Sequence, residues 1–536
     1  MIFSNFSEKK LIKICWIFFY IATFLLLLNN SLYYLDPDFG WHLKFGEAVW
    51  KNKEIPLNQT YLWIVEGQNW VNHEWLADTL MYLVWEMSGG YMVINILLAI
   101  IPTLSLILII GYIKKRHELN IAQNLVLLTI SFTYLLGILP HSGVRIQQLS
   151  VLFIVILLII LNNEKSRPSS YFYWLIPFVY LWSNLHGGFL LGIIILFSWV
   201  VYQWLVLLIN KKNFFIKKII NQENIETKKL KKITLIVFLS SLSTLFTPYG
   251  FYLYGFLKDY TNTAYLSYIQ EWRPLIDFLP TNNLHVFQLI YILIILSFLF
   301  WLILYYKKIT WWKIILIFGL CLISLRSTRH FPIFGGASLL LIVAPVIKDI
   351  IRKDLSSGVI KISLWFLLVS SFLCSLLMFN ELNYKKIKNP FYHYCDQYPC
   401  QAVDFIKNNK DLRGLKIIND YAWGGYLIAV WPEKRIFMDG RLPQYPYKNH
   451  TLIEEYVEFN KKNLTEEKLK EYEAELVLWK TPAKPRKTTW FGRYFLMMNK
   501  YQNTPSNNVG NFLSENKEWA LVYKDEIALI YVKRTK

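Results

Sequence analysis

The stretch Asp36-Pro37-Asp38-Phe39-Gly40-Trp41-His42, with its continuation Trp70-Val71-Asn72-His73-Glu74-Trp75, decides how this chain is read. It lies between two apolar runs, near 11–32 and 92–113, so three carboxylates and two imidazoles stand beside a membrane surface, where uncompensated charge is costly. A mere connector has no need of them. The interval is therefore the candidate active-site loop, and the rest of the chain must say which face of the membrane it occupies and what surrounds it.

Composition supports the membrane setting. With 54% hydrophobic and 18% charged residues over 536 positions, the chain is a polytopic membrane protein and not a soluble globular one. The net charge of +20 sits largely in short segments flanking apolar runs, which marks cytoplasmic loops and not a nucleic-acid footprint. Cys15, Cys321 and Cys374 lie inside apolar runs as small hydrophobes, whereas Cys395 and Cys400 are placed to pair.

Lys9, Lys10 and Lys13 mark the start of the first run, which is long for a signal peptide, lacks a small-residue cleavage site and reads as a helix with a cytoplasmic N-terminus. Between it and the second run, 41–50 and 74–87 look amphipathic and predict two short helices along the membrane surface. The second run ends at Lys114-Lys115-Arg116; placing this triplet inside puts the acidic loop outside. Further spans are expected near 121–139, 147–162, 171–184, 187–209, 233–248, 284–306, 310–325, 331–347 and 360–379, about eleven in all. This predicts a transmembrane domain over 1–380, with a first outer loop at 32–91, and an extracytoplasmic α/β domain over 381–536.

That topology leaves polar groups on the outer side in segments too short to need them: His141 and Arg145, Asn184 and His186, the stretch Glu271-Trp272-Arg273, and Arg326, Arg329 and His330. One arginine at a helix end is explained by snorkelling to lipid headgroups. Four arginines and three histidines on the side of an acidic loop are better explained by a shared anionic ligand.

In the C-terminal region, 400–409 reads as a helix, 415–418, 435–438 and 476–479 as strands, and 520–532 as a closing hairpin. Asn419-Asp420-Tyr421 and Asp439-Gly440-Arg441 follow directly on two of these strands, where open α/β sheets bind ligands; Asp420, Asp439 and Arg441 are candidates for that role, although turns favour the same residues conformationally. If Cys395 and Cys400 lie outside, a disulfide closing their short loop is expected; the spacing would also suit a metal, but no second cysteine pair accompanies it.

A first span, an outer loop opening on Asp-Pro-Asp, a His-Glu pair at the start of a surface helix ending in Gly89-Gly90, and a second span together resemble the GT-C glycosyltransferase superfamily. The stretches 36–42, 70–75, 181–192, 247–254, 419–426 and 437–441 resemble a bacterial, multi-span branch of it. The resemblance implies a bacterial plasma-membrane enzyme moving a sugar from a polyprenyl-phosphate or polyprenyl-diphosphate donor to an envelope glycan, lipid or protein acceptor at the outer face. It also implies that Asp36 or Asp38 is the general base or, as in the oligosaccharyltransferase branch, a metal ligand. His73-Glu74 matches the second polar motif of the loop, but Glu74 and Trp75 stand where relatives using lipid-linked monosaccharides have prolines.

Displacing a lipid phosphate from an anomeric carbon needs an acceptor made nucleophilic and a departing phosphate whose charge is stabilised. Asp36 or Asp38 supplies the first, with Asp38 preferred because Asp36 is closer to the first span and better placed to cap the helix that follows. Arg145, Arg326 and Arg329 are candidates for the phosphate, and His42 and His73 for orienting either partner. A divalent cation on Asp36, Asp38 and Glu74 is compatible with the residue types, though nothing in the spacing demands one. A transporter or flippase of lipid-linked sugar would show internal repeats and mid-membrane charges, and neither is evident. A non-catalytic envelope-assembly scaffold of the same fold is the remaining alternative.

Overall fold

The structure, a computed structural model, describes residues 8–33, 35–88, 90–163, 167–212, 225–259, 268–278, 286–350, 390–482 and 507–534. The expected span 360–379 lies outside them. The apolar runs of the N-terminal part are helical: α1 (Glu8–Tyr33), then, after the loop helices α2 (Phe39–Asn52) and α3 (Trp75–Ser88), α4 (Tyr91–Arg116), α5 (Ile121–Ile138), α6 (Gln147–Asn162), α7 (Leu175–Leu185) and α8 (Phe189–Lys212). Helices at Thr227–Ser243, Val286–Tyr305 and Trp311–Arg326 follow. A last helical run from Phe331 to Ile350 has a wholly buried π turn at Leu339–Val343.

Among the described residues, six helical stretches are long and apolar enough to cross a membrane by length and composition: Lys10–Tyr33, Tyr91–Arg116, Ile121–His141, Phe189–Asn210, Gln288–Lys308 and Thr328–Asp349. The chain is thus an integral membrane protein. Gln147–Asn162 is apolar but shorter. Helix α1 packs on α4, and α4 on α6.

The helix after the Asp-Pro-Asp turn starts at Phe39, and the capping is shared differently from expectation. Asp38 occupies the cap position but its side chain makes no capping hydrogen bond; Asp36 instead accepts from the Asp38 N–H through Oδ1 at 3.0 Å. Helices α2 and α3 pack closely because a Cβ at Gly46 would overlap the Asp78 carbonyl.

The C-terminal part holds a four-stranded sheet. Strands β1 (Ile417–Asn419), β4 (Leu476–Lys480), β5 (Trp519–Lys524) and β6 (Ala528–Lys533) lie in the order β1-β4-β6-β5, with β1 parallel to β4 and the other pairs antiparallel. The short strands β2 (Pro446–Tyr447) and β3 (His450–Thr451) form a separate hairpin. A helix covers Cys400–Asn408, and Cys395 and Cys400 form a disulfide.

The stretch 435–438, expected as a strand, does not join the sheet. Its backbone is satisfied elsewhere: Ile436 exchanges hydrogen bonds with Tyr61 and Trp63 of the first loop, and the buried Asn419 amide bonds Phe437 and Met438. An extended segment with both backbone edges occupied this way has no need of a neighbouring strand. The same contacts anchor the first loop, which Gln59 braces from inside by hydrogen bonds to the carbonyls of Leu62 and Val65, each at 2.6 Å.

Candidate functional site

The first loop, the ends of several helical segments and the C-terminal part meet around one cavity of about 640 Å³. Asp36, Asp38, Trp41, His42, His73 and Glu74 come from the first loop; His141, Arg145, Glu271, Trp272 and Arg329 come from the ends of the helical segments. Tyr421, Ala422, Gly440 and Gln444 are supplied by the C-terminal part.

The two aspartates of the opening motif have different surroundings. Asp36 is buried, and its Oδ2 accepts from Arg145 Nε at 3.1 Å. Asp38 is open to the cavity and its Oδ1 accepts from Trp41 Nε1 at 3.0 Å. Enclosure by protein and the neighbouring charges of Asp36 and Asp439 push the Asp38 carboxyl up to about 6, against the opposing pull of His42 and the Trp41 hydrogen bond.

His42 lies under the Trp41 ring, with centroids 3.6 Å apart, and its Nδ1 is 2.7 Å from Asp78 Oδ1. Asn72 donates to the other oxygen of Asp78 at 2.7 Å. Burial disfavours the imidazolium, but Asp78, Glu74 and Asp38 outweigh it and raise His42 to about 9. Asp78 escaped the sequence reading; its signal is a lone carboxylate one turn after Glu74 within the apolar face of α3.

Glu74 is buried among three histidines. His186 Nε2 is 3.3 Å and His73 Nε2 is 3.6 Å from Oε1, while His42 Nε2 is 3.8 Å from Oε2. Burial pushes Glu74 up to about 7 and holds His73 down to about 3 and His186 well below its usual range. The His186 tautomer follows from its partners: the Gly188 N–H donates to Nδ1 at 2.9 Å, and Ser150 Oγ, which accepts from Trp182 Nε1, is 2.7 Å from the same nitrogen. Nδ1 therefore accepts, and the ring proton sits on Nε2, facing Glu74.

Glu271 gathers the cationic residues. Arg145 pairs with its Oε2, and Arg329 donates to its Oε1 at 2.7 Å while lying over the Trp272 ring. Burial would raise the Glu271 carboxyl, but the two guanidiniums hold it down to about 2. Thr328 ties the two segments together by donating through Oγ1 to the Glu271 carbonyl at 3.0 Å. His141 accepts or donates to the Tyr291 hydroxyl at 2.8 Å.

Other expected site residues lie apart. Arg326 is exposed and does not line the cavity, since the helix that ends on it turns its side chain outward. Arg273 meets Thr328 through its carbonyl, and its side chain is not part of the cavity wall. His330 and His186 line a second, smaller cavity of about 110 Å³.

In the C-terminal part, Asp420 spends its carboxylate on the Ala422 N–H, the Tyr456 hydroxyl and Lys480, which shapes the turn presenting Tyr421 and Ala422. Asp439 and Arg441 are fully buried and paired with each other, and the guanidinium stacks over Trp70 at 4.2 Å with Trp41, Tyr61 and Tyr445 around it. Packed on all sides, this pair acts as a post that holds Gly440 against Asp38. A Cβ at Gly440 would overlap the Asp38 carboxylate.

Groups able to approach a metal occur at His73, Glu74 and His186, at His42, Glu74 and Asp78, and at His450, Glu455 and Glu458. Each brings nitrogen and oxygen atoms within 4.8 Å of one another.

No family model matches the chain, and no curated protein matches it. Among solved structures it is similar to the archaeal oligosaccharyltransferase AglB from Archaeoglobus fulgidus, determined in complex with an inhibitory peptide and a dolichol-phosphate. The TM-score is 0.52 at 10% sequence identity, over 87% of this chain and 69% of the other. AglB has the GT-C fold, and this chain shares that fold.

Proposed function

We propose that the protein is a membrane glycosyltransferase that moves a sugar from a polyprenyl-phosphate or polyprenyl-diphosphate donor to a cell-envelope acceptor at the extracytoplasmic face. The observation that carries this reading is the meeting, in one cavity of a GT-C fold, of an open aspartate with two arginines. The dolichol-phosphate bound by AglB is a lipid phosphate of the class expected for the donor.

Asp38 is the proposed base. Of the two aspartates it is the one not paired with Arg145, and a carboxyl near 6 is matched to taking a proton close to neutral pH. The acceptor atom attacks the anomeric carbon as Asp38 takes its proton, and the bond from that carbon to the phosphate oxygen breaks. Arg329 and Arg145 stabilise the charge on the departing phosphate. His42, protonated below about 9 and held by Asp78, keeps Asp38 ionised and orients the acceptor.

The outward placement of this face is supported by the basic triplet at the end of α4 and by the Cys395–Cys400 disulfide, which suits a non-reducing compartment. On that topology the N-terminus is cytoplasmic, the membrane is the bacterial plasma membrane, and 1–380 and 381–536 are the two domains.

The test is transfer by the purified protein in nanodiscs, offered a panel of polyprenyl-phosphate and polyprenyl-diphosphate sugars. Asp38→Asn is expected to lower the rate at least ~100-fold, the scale of a lost general base, with thermal stability retained. Full activity in an Asp36→Asn, Asp38→Asn double variant would overturn the assignment.

A further inference from the structure

The oligosaccharyltransferase branch implies a metal on the acid of the first loop. The donor set here can be judged for that role from its partners. Asp36 and Glu271, which both line the cavity, already share a cation: the Arg145 guanidinium reaches Asp36 Oδ2 through Nε and Glu271 Oε2 through Nη1. Arg329 adds a second positive charge on Glu271 Oε1 at 2.7 Å. A divalent ion entering between these carboxylates would meet two fixed positive charges at contact distance, and both would have to leave.

The other groups are closed for chemical reasons of their own. At His73, Glu74 and His186, the Gly188 N–H and Ser150 occupy His186 Nδ1, so Nε2 faces Glu74 with a proton and offers no lone pair. In the cluster of His42, Glu74 and Asp78, the imidazole Nδ1 lies 2.7 Å from Asp78 Oδ1, so the ring already places a proton on that carboxylate. At His450, Glu455 and Glu458, Lys468 Nζ lies 2.7 Å from Glu455 and 3.6 Å from Glu458. Each of these carboxylate clusters thus holds a cation or a proton supplied by the chain.

We propose that the cavity carries its cation in the chain: the Arg145 guanidinium, bridging Asp36 and Glu271, stands where a divalent metal would have to bind, and the site works without one. The proposal deepens the transferase reading, because it makes Arg145 and Arg329 the groups that meet an anionic ligand directly. A guanidinium is planar and presents five N–H donors in a fixed fork, so the ligand class that suits it is an oxyanion such as a phosphate, met without a bridging ion.

The test is Mn²⁺ titration of the purified full-length protein, read by electron paramagnetic resonance, and it needs no sugar transfer. The native protein is expected to show no stoichiometric Mn²⁺ binding at millimolar metal. Arg145→Ala is expected to gain a site at least ~10-fold tighter than any native background, and adding Glu271→Gln should abolish it again. Arg145→Gln, closer in size, serves as a second variant should the alanine form fail to fold. Stoichiometric Mn²⁺ binding by the native protein that Asp36→Asn removes would overturn the proposal, and so would folded Arg145 variants that gain no site. Because the readout is metal occupancy, failure of the transferase reading leaves this result intact, and the reverse holds.

Discussion

Asp38, at the cap of α2, and His42, in its first turn, both line the cavity, and their surroundings favour the neutral form of the one and the charged form of the other. Asp38 is pushed up to about 6, mainly by burial, and His42 is raised to about 9 by Asp78 and its neighbours. If the base is Asp38 and the imidazolium assists it, the transfer rate rises with pH through about 6 and falls through about 9; Asp78→Asn should move the upper limb toward the ordinary histidine range of 6.5. A profile unchanged in Asp78→Asn would remove His42 from the chemistry. The same shift bears on stability, since a histidine whose folded value lies above its unfolded one stabilises the fold fully below about 6.5 and loses that contribution as pH rises through about 9. Thermal melts of His42→Gln against the native protein should therefore differ by a pH-dependent part on the order of 3 kcal/mol at pH 6, fading above pH 9. Gly440 is the other decisive residue: Gly440→Ala places a methyl in the Asp38 carboxylate and should cost activity far more than melting temperature.

At the scale of elements, the site depends on how α2 is docked. A Cβ at Gly40 would overlap the Gly425 carbonyl, and one at Gly425 would overlap the Pro37 carbonyl, so the loop helix and the helix Gly424–Val430 touch backbone to backbone. That approach positions the Asp-Pro-Asp turn against the C-terminal part. Gly425→Leu should therefore force the two apart, lowering stability by about 1–3 kcal/mol as overpacking does, and lowering activity together with it. The sequence showed both helices of the loop within one or two residues of their ends, because their apolar periodicity is local. It did not show that 435–438 pairs with the first loop, since an extended segment reads the same whether a strand or a distant loop satisfies its backbone.

For the whole molecule, the first loop and the C-terminal part form one body on one face: Trp63 donates to the Ile417 carbonyl, Trp70 to Gln444, and Tyr394 and Tyr398 donate to the carbonyls of Leu32 and Leu35 at the end of α1. Single cysteines introduced at the exposed Asn58 and Asn449 should consequently react with a membrane-impermeant maleimide from the same side, the outer one on the proposed topology. Labelling from opposite sides would break the arrangement. What the sequence alone determined is whatever depends on neighbours along the chain: the apolar runs that became helices, six of them among the described residues long and apolar enough to cross a membrane, the polar loop between the first two, and the residue types gathered in it. Only the tertiary structure decided who meets whom. It sent Arg145 to Asp36 and Glu271, left Arg326 outside, turned Asp439 and Arg441 from a candidate ligand pair into a buried post, and brought Asp78 in behind His42. The physical reason is that charge pairing, burial and backbone approach are set by distances in space: Arg145 meets partners 109 and 126 positions away, and Asp78 meets His42 across 36, which no local pattern records.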